Sequence, residues 1–139
     1  MADEIAAKRH AQAIFQIALE QGQVDRWRGD LELLAGVFQD EELLPLLEDP
    51  RIRYEDKVAA VGKALPDLSP HVLNLVRLLL LRRRARMMPA IAVEYGRLVD
   101  RHEGIEHAEV VTATEVDEET KRRIERYLAA FTGKKIVLK

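Results

Sequence analysis

The chain contains no cysteine. That excludes a disulfide framework and thiol chemistry, and it fits a reducing compartment without requiring one. Long apolar runs are also missing. No stretch approaches the ~20 residues that a membrane span needs, and the leucine run at 78–81 ends at once in Arg82-Arg83-Arg84. Bulk charge of one sign is absent: 22 Lys and Arg face 24 Asp and Glu, for a net charge of −2. The chain as a whole therefore does not attract polyanions through its overall field. The opening Met1-Ala2-Asp3-Glu4 is acidic and lacks the basic region of a signal peptide. Work at a membrane would then require other proteins to hold the chain there. What remains is 139 residues with 47% hydrophobic content, enough for one globular domain or one domain plus a fragment.

The first helix carries more apolar surface than a single core contact requires. Ala6, Ala7, Ala11, Ala13, Ile14, Phe15, Ile17, Ala18 and Leu19 leave a polar arc of only Lys8, Arg9, Gln12, Gln16 and Glu20. At 100° per residue the apolar arc is roughly 240°, where a surface helix needs about 100° or somewhat more. Such a helix is buried on two sides or keeps one face for a partner, and its small residues permit close approach. The fifth helix repeats the pattern: Val72, Leu73, Leu75, Val76 and Leu78 to Leu81 cover most of its circumference. It is either the central, all-round buried helix of a bundle or one wall of a groove. Leu75, Leu78 and Leu79 near His71 and Arg82 combine apolar and basic character, as a groove for an amphipathic acidic helix requires.

Six helices are predicted before residue 104. The first runs from about residue 3 to residue 21 and stops at Gly22. Val24, Trp27, Leu31, Leu34 and Phe38 form the inward stripe of the second, with Trp27 assigned to core packing. Asp40 caps a short third helix containing Pro45. Tyr54, Val58, Val61 and Leu65 line the fourth. Ser69-Pro70 supplies a cap and a first helical residue for the fifth. Ile91, Tyr95, Leu98, Val99 and His102 form the stripe of the sixth, closed by Gly104. Beyond that point, residues 108–114 read as a strand, Asp117-Glu118-Glu119 opens a seventh helix with Ile124, Tyr127, Leu128 and Phe131 as its apolar side, and residues 134–139 read as a second strand. The fold class is mainly α: a six-helix bundle over 1–104 and a partial α/β domain, strand-helix-strand, over 105–139.

Catalytic and ligand-binding patterns are weak. His10, His71, His102 and His107 show no i, i+4 pair, so no metal site is assigned. Gly133-Lys134-Lys135 lacks the upstream glycine and the Ser or Thr of a phosphate loop. No nucleophile has a local activating partner, and no cofactor motif is present. A small helical enzyme would require a polar pocket assembled only in the fold. The run Arg82-Arg83-Arg84-Ala85-Arg86 offers an alternative, a nucleic-acid-binding module. No recognition helix follows it, because Met87, Met88, Pro89 and Ala90 open the sixth helix. A basic end of the fifth helix, favourable to its dipole, is the preferred reading.

Several segments together are similar to the delta subunit of F-type ATP synthase, the oligomycin-sensitivity-conferring protein family. They are the stretch from His10 to Ala18, Gly22 through Trp27, Asp49-Pro50-Arg51-Ile52 before Lys57, Asn74-Leu75-Val76-Arg77-Leu78, Arg86 to Ile91, Val110 to Ala113, and Thr132-Gly133-Lys134. His10 stands where that family usually has Tyr. The family's C-terminal domain continues with further strands and a basic final helix beyond the point where this sequence stops. The resemblance implies a non-catalytic stator subunit on the cytoplasmic face of a bacterial membrane, joining the catalytic head to the b subunits. It also implies that helices one and five receive an N-terminal helix of an alpha subunit. The matching positions are His10, Ala13, Ile14 and Ile17 on the first helix and Leu75, Leu78, Leu79 and Arg82 on the fifth.

Overall fold

A computed structural model describes residues 2–104 and 116–132. Among the described residues there are seven α-helices and one 3-10 turn, and no strand: α1 (Ala2–Gln21), α2 (Val24–Val37), α3 (Leu43–Leu47), α4 (Tyr54–Ala64), α5 (Pro70–Leu81), the 3-10 turn Ala85–Met87, α6 (Met88–His102) and α7 (Glu118–Thr132). The six predicted helices of the bundle are all present. The strands expected at 108–114 and 134–139 lie outside the described residues.

The core forms around α6, on which α1 and α2 both pack. Ala7, Ala11 and Ala18 are fully buried, so the face that α1 turns inward is built largely from methyl groups. A helix with so short an inner face can approach its neighbour closely. Trp27, Leu31, Leu34 and Phe38 of the second stripe are buried, as are Ile91, Tyr95 and Val99 of the sixth. Leu98 is only half-buried and His102 is exposed, so the sixth stripe is narrower than the spacing suggested. Tyr95 ties three helices together. Its ring meets Phe15 of α1 edge-on at 5.7 Å, and its hydroxyl donates to the Val24 carbonyl of α2 at 2.7 Å. Burial, as the largest cause, pushes the Tyr95 phenol well above its ordinary pKa. An ion pair crosses the same interface, with Arg28 Nη1 3.0 Å from Asp100 Oδ1.

Local signals fix the helix ends. Gly22 and Gly104 adopt positive φ, 65° and 74°, the left-handed conformation that glycine accepts after a helix. Asp40 Oδ1 accepts hydrogen bonds from the backbone N–H groups of Glu42 and Leu43, at 2.9 and 3.0 Å. Pro45 falls in the first turn of α3, where no donor is needed. Ser69 departs from expectation: its side chain makes no capping bond. Its backbone N–H donates instead to Asp30 Oδ2 of α2 at 3.1 Å, so a tertiary contact anchors the start of α5.

The seventh helix docks on α4 and α3. Asp117 Oδ1 accepts from the Thr120 N–H at 2.7 Å and caps it. Ile124 and Leu128 are fully buried, and Lys121 pairs with Glu42.

Removal of the Arg28 guanidinium takes a charged partner from Asp100, whose side chain is only 7% exposed. Arg28→Ala should therefore destabilise the chain by about 2 kcal/mol. Urea denaturation should show a lower midpoint at unchanged m-value.

Candidate functional site

The two helices with surplus apolar surface lie side by side and antiparallel. At one end, the Gln21 side-chain amide of α1 lies 3.0 Å from His71 Nε2 of α5 and donates to it in the ring's Nδ1–H tautomer. At the other end, Arg84 Nη1, just past α5, pairs with Asp3 Oδ1 of α1 at 2.7 Å. Between these clasps, the Arg82 charge acts on His10. The closest helix packing of α1 is with α6 and α2, and that of α5 is with α4. Long side chains at the two ends thus link α1 and α5.

Burial sorts the predicted residues into two sets. Ile14, Leu75 and Leu79 are 6%, 7% and 1% exposed and belong to the core. Leu79 in particular has almost no surface for a partner. Ala13 is exposed, and Ile17 and Leu78 are half-buried, so these three present apolar surface. His10 is half-buried and Arg82 is exposed. The excess on α5 is real: Leu81 is 54% exposed just outside this strip. A cavity of about 330 Å³ opens at the Asp3 end, lined by Glu4, Arg83, Arg84 and Met87 among others.

The electrostatics around His10 are basic. His10 has its pKa lowered from 6.5, first by burial and second by the Arg82 charge, so it is held toward the neutral form. Trp27, 1% exposed, lies under the His71 end, with ring centroids 5.2 Å apart. Its position in the core agrees with the sequence reading, and its contact with His71 couples the core to α5. Gln21 was not among the predicted site residues. Its partner stands 50 positions away, and no local pattern announces the pairing.

The arginine run is partly committed within the molecule. Arg84 pairs with Asp3, and Arg86 reaches Glu48 through Nε and Nη2 at 2.8 and 3.1 Å. Among the described residues, no group of three or more His, Asp or Glu side chains is arranged to hold a metal ion. None of the described helices is long and apolar enough to cross a membrane.

The described residues thus form a helical scaffold in which α1 and α5 are clasped at both ends and keep Ala13, Ile17 and Leu78 partly accessible. Comparison with known proteins gives the particular family. Residues 6–139 match the model of the ATP synthase delta (OSCP) subunit. Among the relatives is the ATP synthase subunit delta of Dehalococcoides mccartyi, 39% identical over 130 residues, covering 94% of this chain and 72% of that protein. The corresponding subunit of Bacillus cytotoxicus is 35% identical over 135 residues, covering 96% and 75%. The chloroplastic ATP synthase delta chain of Sorghum bicolor is 29% identical over 136 residues, covering 96% and 55%. The chain belongs to the ATP synthase delta (OSCP) subunit family. As such it is a structural, non-catalytic subunit of the peripheral stalk of F-type ATP synthase.

Because burial is the larger cause of the His10 shift, Arg82→Ala should raise the His10 pKa only part of the way back to 6.5. A depressed histidine pKa means that the folded state binds fewer protons than the unfolded state. The stability it contributes is fully present above 6.5 and is lost as pH falls through the folded-state pKa. An NMR titration of the imidazole protons reads the shift, and a smaller pH dependence of unfolding in Arg82→Ala checks its consequence.

Proposed function

We propose that the α1–α5 groove receives an amphipathic helix from the N-terminus of an alpha subunit of the catalytic head. The observation that carries this reading is the accessible apolar strip of Ala13, Ile17 and Leu78 between two side-chain clasps. The incoming helix lays its apolar face over Ile17 and Leu78, and its acidic residues meet Arg82 at the rim. His10, held toward neutrality, lets the helix approach without desolvating an imidazolium. Ile14, Leu75 and Leu79 act from beneath by fixing the groove's shape.

A stator has to transmit torque without rotating. A bundle with an interlocked core and a clamp at one surface is suited to that task, because close-packed interiors deform little under load. In the proposed arrangement residues 1–104 grip the head, and residues 105–139 belong to a C-terminal region that leads to the b subunits of the stalk. The complex places the subunit on the cytoplasmic face of a bacterial membrane, attached through these protein partners.

A synthetic peptide from the N-terminus of the cognate alpha subunit tests the groove. Calorimetry should show saturable one-to-one binding, and Trp27 fluorescence should change through its contact with His71. Leu78→Asp should weaken binding about 100-fold, because it removes apolar contact and puts a carboxylate under the partner helix. The helical circular dichroism should remain, since Leu78 is only half-buried. A folded chain that binds no peptide, or unchanged affinity in Leu78→Asp, overturns the assignment.

The proposed division at residue 104 has its own test. A chain of residues 1–104 should still unfold cooperatively and bind the peptide. It should melt at a lower temperature than the whole chain, because removing Ile124 and Leu128 uncovers the faces of α3 and α4 on which α7 packs. Loss of both cooperative unfolding and binding refutes the boundary.

A further inference from the structure

On the side of the bundle formed by α3, α4 and the end of α5, a second cavity of about 240 Å³ has a composition that packing alone does not require. Leu47, Pro50, Leu80 and Ala85 form apolar walls, and Lys57, Arg83 and Glu48 line it as well. Lys57 is only 7% exposed. Among the described residues, no carboxylate comes within ion-pair distance of its ammonium group. The two nearby acids are engaged elsewhere: Asp49 is held by Arg51 at 2.7 Å, and Glu48 at the cavity rim is held by Arg86 at 2.8 Å. Asp49 and Glu48 therefore act on the Lys57 charge from beyond ion-pair distance, and the ammonium keeps hydrogen-bonding capacity for a closer acceptor.

Arg83 provides an independent observation. Its φ of 57° makes it the only non-glycine residue with positive φ among the described residues. It occupies the turn after α5, with its N–H donating to the Leu80 carbonyl at 3.2 Å, a position that glycine ordinarily takes. A long cationic side chain kept in a left-handed conformation at a cavity mouth points to use of its charge. Burial is the largest cause that lowers the Lys57 pKa; the Asp49 charge opposes it, Arg83 adds to it, and Glu48 opposes it more weakly.

We propose that this cavity binds a carboxylate carrying a short aliphatic group. The carboxylate sits between Lys57 and Arg83, and the aliphatic group lies on Leu47, Leu80 and Ala85. A single negative charge fits better than a phosphate dianion, because the Glu48 carboxylate also lines the cavity and offsets one of its two cations. Leu80 is two residues beyond Leu78 and faces roughly the opposite way, while Arg83 also borders the cavity at the Asp3 end of α1.

The test is a titration of the full 139-residue chain with sodium butyrate, followed by backbone amide NMR, with butyramide and inorganic phosphate as parallel probes. Butyrate should give saturable shifts centred on Lys57, Arg83 and Ala85. Lys57→Met and Arg83→Gly should each weaken that binding at least fivefold. Both substitutions suit the fold: methionine removes a buried charge at similar length, and glycine suits the left-handed turn. Equal binding of butyramide, binding of phosphate without butyrate, absence of saturation, or unchanged affinity in both variants overturns the proposal. A capped Ala-Glu-Ala peptide then identifies the source. Displacement of butyrate supports the site as one for an acidic side chain of a partner polypeptide, and failure to displace it supports the site as one for a free aliphatic acid.

Discussion

The close approach of α1 to α6 is the constraint on which the rest of the molecule depends. Its inner face on α1 is mainly alanine, Ala7, Ala11 and Ala18, with Ile14 beside them, and Phe15 meets Tyr95 and His102 of α6. An alanine face brings two helices together but covers only a narrow arc of each. The larger apolar residues of α1 are then divided between jobs. Phe15 reaches Tyr95, Ile14 joins the core below α5, and Ile17 is left half-covered at the surface. Had α1 packed with leucines at those three positions, the helices would stand further apart and Tyr95 would lose its simultaneous contacts with α1 and α2.

The proposed groove follows from that division. α5 is pinned to α4 on one side and to the ends of α1 on the other. Asp30 of α2 fixes its start, His71 meets Gln21, and Arg84 beyond its end meets Asp3. These contacts are polar and located at the ends, while Ala13, Ile17 and Leu78 between them keep part of their apolar surface accessible. Exposed pairs such as Arg84–Asp3 contribute little stability, typically about 0–1 kcal/mol. Their importance here is geometric, because they set the spacing and antiparallel direction of the two walls. A stator subunit benefits from keeping the rigid core and the gripping surface distinct in this way.

The basic run after α5 shows how one sequence feature resolves into several structural roles. Arg82 faces the groove and acts on His10, Arg83 turns into the second cavity, Arg84 clasps α1, and Arg86 holds Glu48 beside α3. As a sequence the run resembles a phosphate-binding tract. In the fold it is dispersed over different faces, because the helix ends and Arg83 reverses the chain direction.

Much of this was legible in the sequence. Periodicity located the six bundle helices, the glycines at 22 and 104 marked two helix ends, and the surplus of apolar residues singled out α1 and α5. These are local properties, set by side-chain spacing and by backbone conformations open to glycine. The sequence alone left open whether α5 was buried all round or formed a wall of a groove. It gave Ser69 a capping role that Asp30 made unnecessary, and it did not separate Leu79 in the core from Leu78 at the rim. Those outcomes depend on which distant residues meet, such as Gln21 with His71 or Lys57 with Arg83. Tertiary packing alone decides them, because two adjacent leucines on one helix differ only in the neighbour that each is turned toward.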